Sequence, residues 1–332
     1  MPKISILTAC YNHEKYLKFY IESLLIQNFE DWELLIVDDN SKDKSVDIIK
    51  QYDDPRIRLF CNDINQGPGA AWNKAYENST GDFFVICASD DMIKPDYFKY
   101  LLDEFDKGYE IIYSPLQMID NDNKIYSIMK LPDTNDRFKL LSRLFKKDNC
   151  LYSPGMSFNK RLADIIFPTN VAMVQHQDYQ WHIKMLINSD KISFANKPYI
   201  LYRKINTTGT LSTVSLGEYN RSKIEIFKVM DTFTCIKNIE IIQNMFPDCE
   251  IKENGYINFE LAKQALKADS FEKKLWGYNL LLNIMENDCL SFSNDFTFGD
   301  FLKIANKAFY PTNEYKKHKF KFMIKKIIKG YY

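Results

Sequence analysis

The residues of this 332-residue chain best suited to chemistry are acids gathered at the ends of short apolar runs. One run leads into Asp38-Asp39-Asn40-Ser41 and another into Ala88-Ser89-Asp90-Asp91, while the first run ends in Thr8-Ala9-Cys10-Tyr11-Asn12. Adjacent carboxylates repel unless a cation or hydrogen-bond donors offset them, so each tandem pair needs a partner. Taken singly, each has an ordinary explanation. Asp38 and Asp39, with Asn40 and Ser41, are good helix N-caps, and Asp90-Asp91 suits a solvated turn before Pro95. Two such pairs at the carboxyl edge of one sheet are harder to explain as packing.

The elements that would position these acids can be read from hydrophobic period. Ile4–Thr8, Glu33–Val37, Arg58–Cys61, Phe83–Ala88 and Ile111–Ser114 are candidate strands. Between the first two, Tyr16, Leu17, Tyr20, Ile21, Leu24 and Leu25 form one stripe of a helix. Asn78-Ser79-Thr80-Gly81 gives a second helix a glycine stop just before the Phe83 strand. Strand–helix alternation predicts an α/β fold, a mostly parallel sheet with helices on both faces. In such sheets ligands sit at the carboxyl ends of the strands, where these acids are. From 116 to 205 the pattern loosens into short strands, with helices expected around 136–146 and 177–189. Residues 220–310 read as a C-terminal helical appendage, with Phe259, Ala262, Ala265 and Leu266 on one face and Leu275, Tyr278, Leu282 and Met285 on another. The nearest thing to a boundary is Asn206-Thr207-Thr208-Gly209.

Composition narrows the classes. At 45% hydrophobic and 15% aromatic residues the chain can build a large core, which excludes wholesale disorder. Its length suggests about two domains of roughly 150 residues. Lysine plus arginine equals aspartate plus glutamate, so the net charge is zero, but residues 316–332 hold seven lysines and no carboxylate. The remaining 315 residues are therefore acidic overall, which argues against nucleic acid as a partner. In the tail, Phe320, Met323, Ile324, Ile327 and Ile328 fall on one helical face, opposite Lys321, Lys325, Lys326 and Lys329. A basic amphipathic helix of this kind suits a membrane surface through 316–329; docking on the protein itself or on an acidic partner is the alternative. No apolar run approaches the ~18 residues of a membrane span. Seven cysteines without metal-ligand spacing read as reduced, mostly buried thiols, giving an expected cytoplasmic location, peripheral at the inner face of the cytoplasmic membrane.

The chain resembles the family-2 glycosyltransferases of the GT-A fold over roughly residues 2–205. The likeness rests on Lys3-Ile4-Ser5-Ile6-Leu7-Thr8 through Tyr11-Asn12, on Gln27-Asn28-Phe29 before Trp32-Glu33-Leu34, and on Ile36-Val37-Asp38-Asp39-Asn40-Ser41. It continues through Asn65-Gln66-Gly67 and then Gly81-Asp82-Phe83 leading into Ser89-Asp90-Asp91. The resemblance implies an inverting hexosyltransferase of the bacterial polysaccharide or oligosaccharide type, acting in capsule or lipooligosaccharide synthesis. Its donor would be a nucleotide-diphosphate sugar, UDP-linked as is commonest, and its acceptor a glycan or lipid-linked glycan. It also implies a GT-A domain over 1–205, with a donor half to about 115 and an acceptor half beyond, then a helical region over 206–315 and the tail. In that scheme Asp39, with Asp38 beside it, binds the base edge and Tyr11 packs on the base. Thr8 and Ala9 line the wall, Gly67 belongs to the donor loop, and Ser89-Asp90 forms the metal motif. Mg²⁺ or Mn²⁺ would bridge Asp90, with Asp91 next to it, to the diphosphate, since hard oxygen ligands suit these ions.

Two departures stand out. Ala88 occupies the place where the metal motif usually opens with aspartate, which leaves one carboxylate plus phosphate oxygens to hold an ion. Ala71-Trp72-Asn73 lacks the arginine that usually precedes the asparagine and helps hold the nucleotide. For the base, the matching segment is Val174 to Lys184, where Gln177 replaces the usual acid and Asp178 matches the family's general base. A plain helix-start carboxylate is the other reading, and the helix dipole would lower a pKa that a base needs raised. His176 and His182 lie at i, i+6, off the i, i+4 spacing of a helical zinc pair. Arg203, in Tyr202-Arg203, would either neutralise diphosphate or pair with a surface acid. The rival readings are a non-catalytic nucleotide-sugar or partner-binding protein and a sugar-phosphate nucleotidyltransferase. The latter usually has an early glycine-rich phosphate loop, and residues 8–14 contain no glycine; a dinucleotide oxidoreductase lacks its G-x-G-x-x-G.

Overall fold

The computed structural model describes residues 3–204, 216–249, 251, 253–287 and 303. The amphipathic tail, the Asn206–Gly209 boundary and Cys289 lie outside the described residues. The chain divides into two compact units, Met1–Leu144 with Asn149–Thr232, and Phe145–Asp148 with Phe233–Tyr332. Strands β1 (Ile4–Cys10), β2 (Trp32–Asp38), β3 (Ile57–Cys61), β4 (Phe83–Ile86), β5 (Met92–Ile93) and β6 (Ile111–Tyr113) come first. They are followed by β7 (Leu116–Ile119), β8 (Ile125–Met129), β9 (Ser157–Asn159), β10 (Ile192–Phe194) and β11 (Ile200–Arg203). Helices α1 (Leu17–Leu25), α2 (Ser45–Ile49), α3 (Pro68–Glu77) and α4 (Tyr97–Asp106) lie among the early strands. Next come α5 (Arg137–Lys146), α6 (Lys160–Ile166), α7 (Gln177–Asn188) and α8 (Leu216–Asp231).

The first unit is a seven-stranded sheet in the order β10-β6-β9-β4-β1-β2-β3. From the β3 edge to the centre, β3, β2, β1 and β4 run parallel, as the alternation of strands and helices predicts. The near-continuous apolar runs of β1, β2 and β4 are what strands covered on both faces require. Alternation along β1 sends Ile4, Ile6 and Cys10 toward Leu17, Tyr20, Ile21 and Leu24 of α1, in a core shared with Tyr97, Phe98 and Leu101 of α4. The register aligns Cys10 with Asp38 and Asp38 with Cys61, so three strands end in one row.

The sheet is more mixed than expected. β9 enters antiparallel between β4 and β6. A separate four-stranded sheet, in the order β5-β11-β7-β8, is built from strands too short to show a period in sequence. Its pairing of β5 with β11 matters most for function, because it places Arg203 next to the segment that follows Asp90-Asp91. Among the described cysteines Cys10, Cys87 and Cys150 are buried, Cys61 and Cys235 exposed and Cys249 intermediate, so burial is less general than the sequence suggests.

In the second unit, α9 (Ile239–Met245) precedes α10 (Ile257–Ala265) and α11 (Phe271–Asn287). Ala262, Leu266 and Leu281 form its helical core, flanked by Phe259, Tyr278, Leu282 and Met285. Leu275 departs from the expected face and is exposed, while its neighbour Trp276 is buried. Gly277 explains the turn of this helix: a Cβ there would come within 2.7 Å of Ala265 Cβ and 2.8 Å of the Ala262 carbonyl oxygen. The helices thus approach closely at a residue without a side chain, which leaves Trp276 rather than Leu275 facing inward.

Across β1 and β2, away from their carboxyl ends, a buried polar network fixes how β4 joins the sheet. Glu33 Oε1 accepts the Ser5 hydroxyl (2.8 Å) and the Thr80 N–H (2.6 Å), Glu33 Oε2 accepts Arg58 Nη1 (2.8 Å), and Ser5 Oγ accepts the Gly81 N–H (2.9 Å). Burial raises the Glu33 pKa, but the bonds from Ser5, Thr80 and Arg58 outweigh it and leave the carboxyl below its usual range. A Cβ on Gly81 would sit 2.6 Å from Ser5 Oγ and 2.9 Å from the Ser5 nitrogen. Gly81→Ala is therefore expected to destabilise the first unit by about 1–3 kcal/mol. An unchanged midpoint in urea unfolding would show that β4 accommodates the methyl group freely.

Candidate active site

The carboxyl ends of β1, β2 and β4 converge as the sequence suggests, but each acid meets different surroundings. Asp39 is buried and follows β2. Its N–H donates to the Cys10 carbonyl at 2.9 Å, and its carboxylate gathers the loop before α3. Oδ1 accepts Asn62 Nδ2 (2.8 Å) and the Gln66 N–H (2.9 Å), and Oδ2 accepts the Gly67 N–H (2.7 Å). Gly67 has φ +84°, a left-handed conformation that glycine adopts without strain, and it starts α3 ahead of Pro68. Asp38 is also buried. Its Oδ2 accepts the Ser41 N–H at 2.9 Å, closing a tight turn rather than capping α2, and its Oδ1 has no hydrogen-bond partner among the described residues.

The β1 end divides in two. Thr8 has no exposed surface, because the same alternation that buries Ile4 and Ile6 turns its hydroxyl inward to Tyr20. Ala9 is partly open and Tyr11 is 42% exposed. Ser89, fully buried, lies between the Ala9 carbonyl (3.3 Å) and His13 Nδ1 (2.8 Å), and His13 Nδ1 is 4.0 Å from Asp90 Oδ1. His13 is a site neighbour that the sequence reading passed over, although it follows Tyr11-Asn12 directly.

Asp90 and Asp91 face opposite ways. Asp90 remains partly accessible. Asp91 is 1% exposed, and its Oδ1 accepts the Arg203 N–H at 2.9 Å. Burial, with Asp90 next to it, raises the Asp91 pKa well above the usual carboxylate range despite Arg203. Arg203 is itself 2% exposed. Its Nε donates to the Asp90 carbonyl at 2.9 Å, Nη1 to the Asp120 carbonyl and Nη2 to Asn123 Oδ1, while the guanidinium carbon stacks 4.6 Å from the Tyr16 ring. It thus joins the acid turn to the turn between β7 and β8. Among the described residues, no group of three or more His, Cys, Asp or Glu gathers to hold an ion. A cation at this turn would have the partly accessible Asp90 carboxylate as its protein ligand, a hard oxygen of the kind Mg²⁺ or Mn²⁺ takes.

Asp178 stands in the first turn of α7. Burial raises its pKa from 3.8 to about 6, against the lowering effect of the Tyr179 N–H, the Ser153 hydroxyl, its own N–H and Asn149. Desolvation therefore outweighs the helix start that the sequence weighed against a base. Tyr202 links this acid to the others electrostatically. Burial raises its pKa, and the charges of Asp91, Asp90 and Asp178 all add to the rise. The histidines do not meet: His176 Nε2 contacts Ser222 Oγ (2.7 Å), while buried His182 bonds Tyr113 through Nδ1 (2.9 Å). Burial lowers the His182 pKa to about 3, so it is neutral.

Residues 5–165 match the family described as glycosyl transferase family 2. An uncharacterized glycosyltransferase of Methanocaldococcus jannaschii is 30% identical over 221 residues, which cover 64% of this chain and 74% of that protein. The chain belongs to this glycosyltransferase family. A Campylobacter jejuni relative, GalNAc(5)-diNAcBac-PP-undecaprenol beta-1,3-glucosyltransferase, is 30% identical over 116 residues, 34% of this chain and 38% of the relative. S. aureus TarS 1-349 in complex with UDP-GlcNAc has the same fold, with TM-score 0.56 and 20% identity over 86% of this chain and 81% of that one.

The family's departure at Trp72 has a structural use here. Its ring meets Trp181 of α7 edge-on at 5.1 Å, and Asn73 bonds both backbone groups of Thr169 (2.7 and 3.0 Å). Trp181 Nε1 in turn donates to Thr169 Oγ1 at 2.9 Å. Trp72, where the resemblance implies a nucleotide-binding arginine, thus braces the helix bearing Asp178.

The raised pKa of Asp178 has a sign that can be tested. Between pH 3.8 and about 6 the folded state binds the proton that the unfolded state has lost, so stability falls as pH rises through this window and is level above it. Asp178→Asn removes that loss. It is expected to raise the thermal midpoint relative to wild type at pH 8 but not at pH 3.5, and a difference independent of pH would contradict a raised pKa.

Proposed function

We propose that the protein is an inverting, hexosyl-transferring enzyme that moves a sugar from a nucleotide-diphosphate donor, UDP-linked, to a hydroxyl of a glycan or lipid-linked glycan. The observation that carries this reading is the placing of Asp178 in the first turn of α7, where burial, against the bonds from Ser153 and Asn149, raises its pKa to about 6. A base works best with a pKa near the operating pH. The donor class draws support from the UDP and UDP-GlcNAc complexes of TarS, and the acceptor class from the undecaprenol-linked glycan in the Campylobacter relative's name.

In this mechanism Asp39 takes the base. An ionised carboxylate offers about four acceptor sites, and three are filled by Asn62, Gln66 and Gly67, which leaves one for a base N–H. Tyr11 packs on the base, and Ala9 lines the wall with Thr8 and Asp38 supporting it from the interior. Asp90 holds the diphosphate side, backed by Ser89, Asp91 and Arg203. When bound there, Mg²⁺ or Mn²⁺ supplies Lewis-acid stabilisation of the departing diphosphate. The acceptor oxygen attacks the anomeric carbon from the face opposite the diphosphate, the bond to the diphosphate breaks with its electron pair, and the acceptor proton passes to Asp178. Among the described residues no helix is long and apolar enough to cross a membrane. The basic tail over 316–329 would hold a cytoplasmic enzyme against the inner face of the membrane.

A thermal-shift panel of UDP-, GDP- and dTDP-sugars with Mn²⁺ identifies the donor; no response to any of them favours the non-catalytic reading. With that donor, Asp178→Asn is expected to lose transfer by at least about 10²-fold while donor binding persists. Undiminished turnover would sink the base assignment, and activity indifferent to excess EDTA would reject the divalent ion. Anionic vesicles are expected to retain the wild-type chain more strongly than the Lys325→Gln, Lys326→Gln variant at low salt; equal retention would remove the membrane role.

A further inference from the structure

The helix that carries Asp178 begins without a side-chain cap of its own, since His176 occupies the N-cap position and supplies none. The backbone groups just before it are nonetheless bonded. Val174 N–H donates to Glu225 Oε1 at 3.1 Å, and the Gln175 and His176 N–H groups donate to Glu225 Oε2 at 2.8 and 3.0 Å. Three successive N–H groups that converge in this way form a seat for an anion. Here the anion is a carboxylate from α8, 49 residues beyond His176 and itself 5% exposed. Two further contacts join α8 to the same turn: Ser222 Oγ meets His176 Nε2 at 2.7 Å, and the Lys228 carbonyl accepts Gln180 Nε2 at 2.9 Å.

We propose that Glu225 is a positioning residue for sugar transfer, which seats its carboxylate on the Val174–His176 backbone and so fixes where Asp178 stands. The inference rests on the reading of Asp178 as the base. Glu225 acts through the backbone two residues ahead of Asp178. A second effect follows from its charge: a carboxylate at the start of α7 offsets the positive end of the helix dipole, which would otherwise favour the ionised form of Asp178. The groups around the pair are known. Tyr113 of β6 and Tyr202 of β11 respond to the charge of Asp178, and Asn149 and Ser153 bond it. Arg221 Nε lies 3.9 Å from Glu225, and the His176 ring bonds Ser222 beside it.

The test compares Glu225→Gln and Glu225→Ala with wild type in the full chain, reading UDP binding by calorimetry and turnover with the donor that the panel identifies. Both variants are expected to bind UDP as wild type does and to lose on the order of 10- to 100-fold in kcat, the scale of a small misplacement of a catalytic group. The acid limb of the kcat profile is expected to move to lower pH. Sodium formate, which can enter the vacated seat in Glu225→Ala, is expected to restore part of kcat, a readout that remains available if Glu225→Gln fails to fold. Wild-type kcat with an unmoved acid limb, or a loss that formate leaves unchanged, overturns the proposal. Asp178→Asn measured alongside separates the two readings. If it still turns over, the base assignment fails; if it is inactive while the Glu225 variants match wild type, only the positioning role fails.

Discussion

A guanidinium buried at the end of β11 is the contact on which the site depends. Asp91 has almost no exposure, and a buried acid left without compensating donors is strongly unfavourable. Arg203 supplies its backbone N–H to Asp91 and its side chain to the Asp90 carbonyl and the turn between β7 and β8, with Tyr16 stacked against it. One residue thereby fixes the acid turn after β4 against the second sheet. The partly open carboxylate of Asp90 is left at the edge because its neighbour is held inside.

The acids at the edge differ in role because their surroundings differ, although their residue type is the same. Asp39 meets three N–H donors and shapes the loop into α3. Asp91 is turned into the protein, where desolvation favours its protonated form. Asp178 is desolvated more than its hydrogen bonds compensate, which raises its pKa to about 6. Position in the fold, rather than chemistry intrinsic to aspartate, separates a scaffold acid from a candidate base.

The helix that carries Asp178 is braced from two directions. Trp72 and Asn73 of α3 hold Trp181 and Thr169, and Glu225 of α8 holds the backbone before α7. The first brace occupies the position at which the family resemblance implies an arginine for the nucleotide. An aromatic residue there exchanges a contact to ligand for one within the protein, which is how the departure at Trp72 is consistent with an intact site.

Much of this was legible before the fold was known. The central strands read as apolar runs because parallel strands are buried on both faces, and their ends fell at the acid clusters because the same residues mark the carboxyl edge. The helices near 136–146 and 177–189 appear as α5 and α7. The short strands beyond residue 115, β9's antiparallel entry and the second sheet carried no period to read. The sequence by itself determined which residue types stand at which strand ends, since period and turn chemistry are local. Only the tertiary structure decided that Thr8 faces Tyr20, that Arg203 is a buried tie and that Glu225 meets the backbone ahead of the Asp178 helix. Those outcomes depend on burial and on partners distant along the chain, and neither is recorded in local spacing.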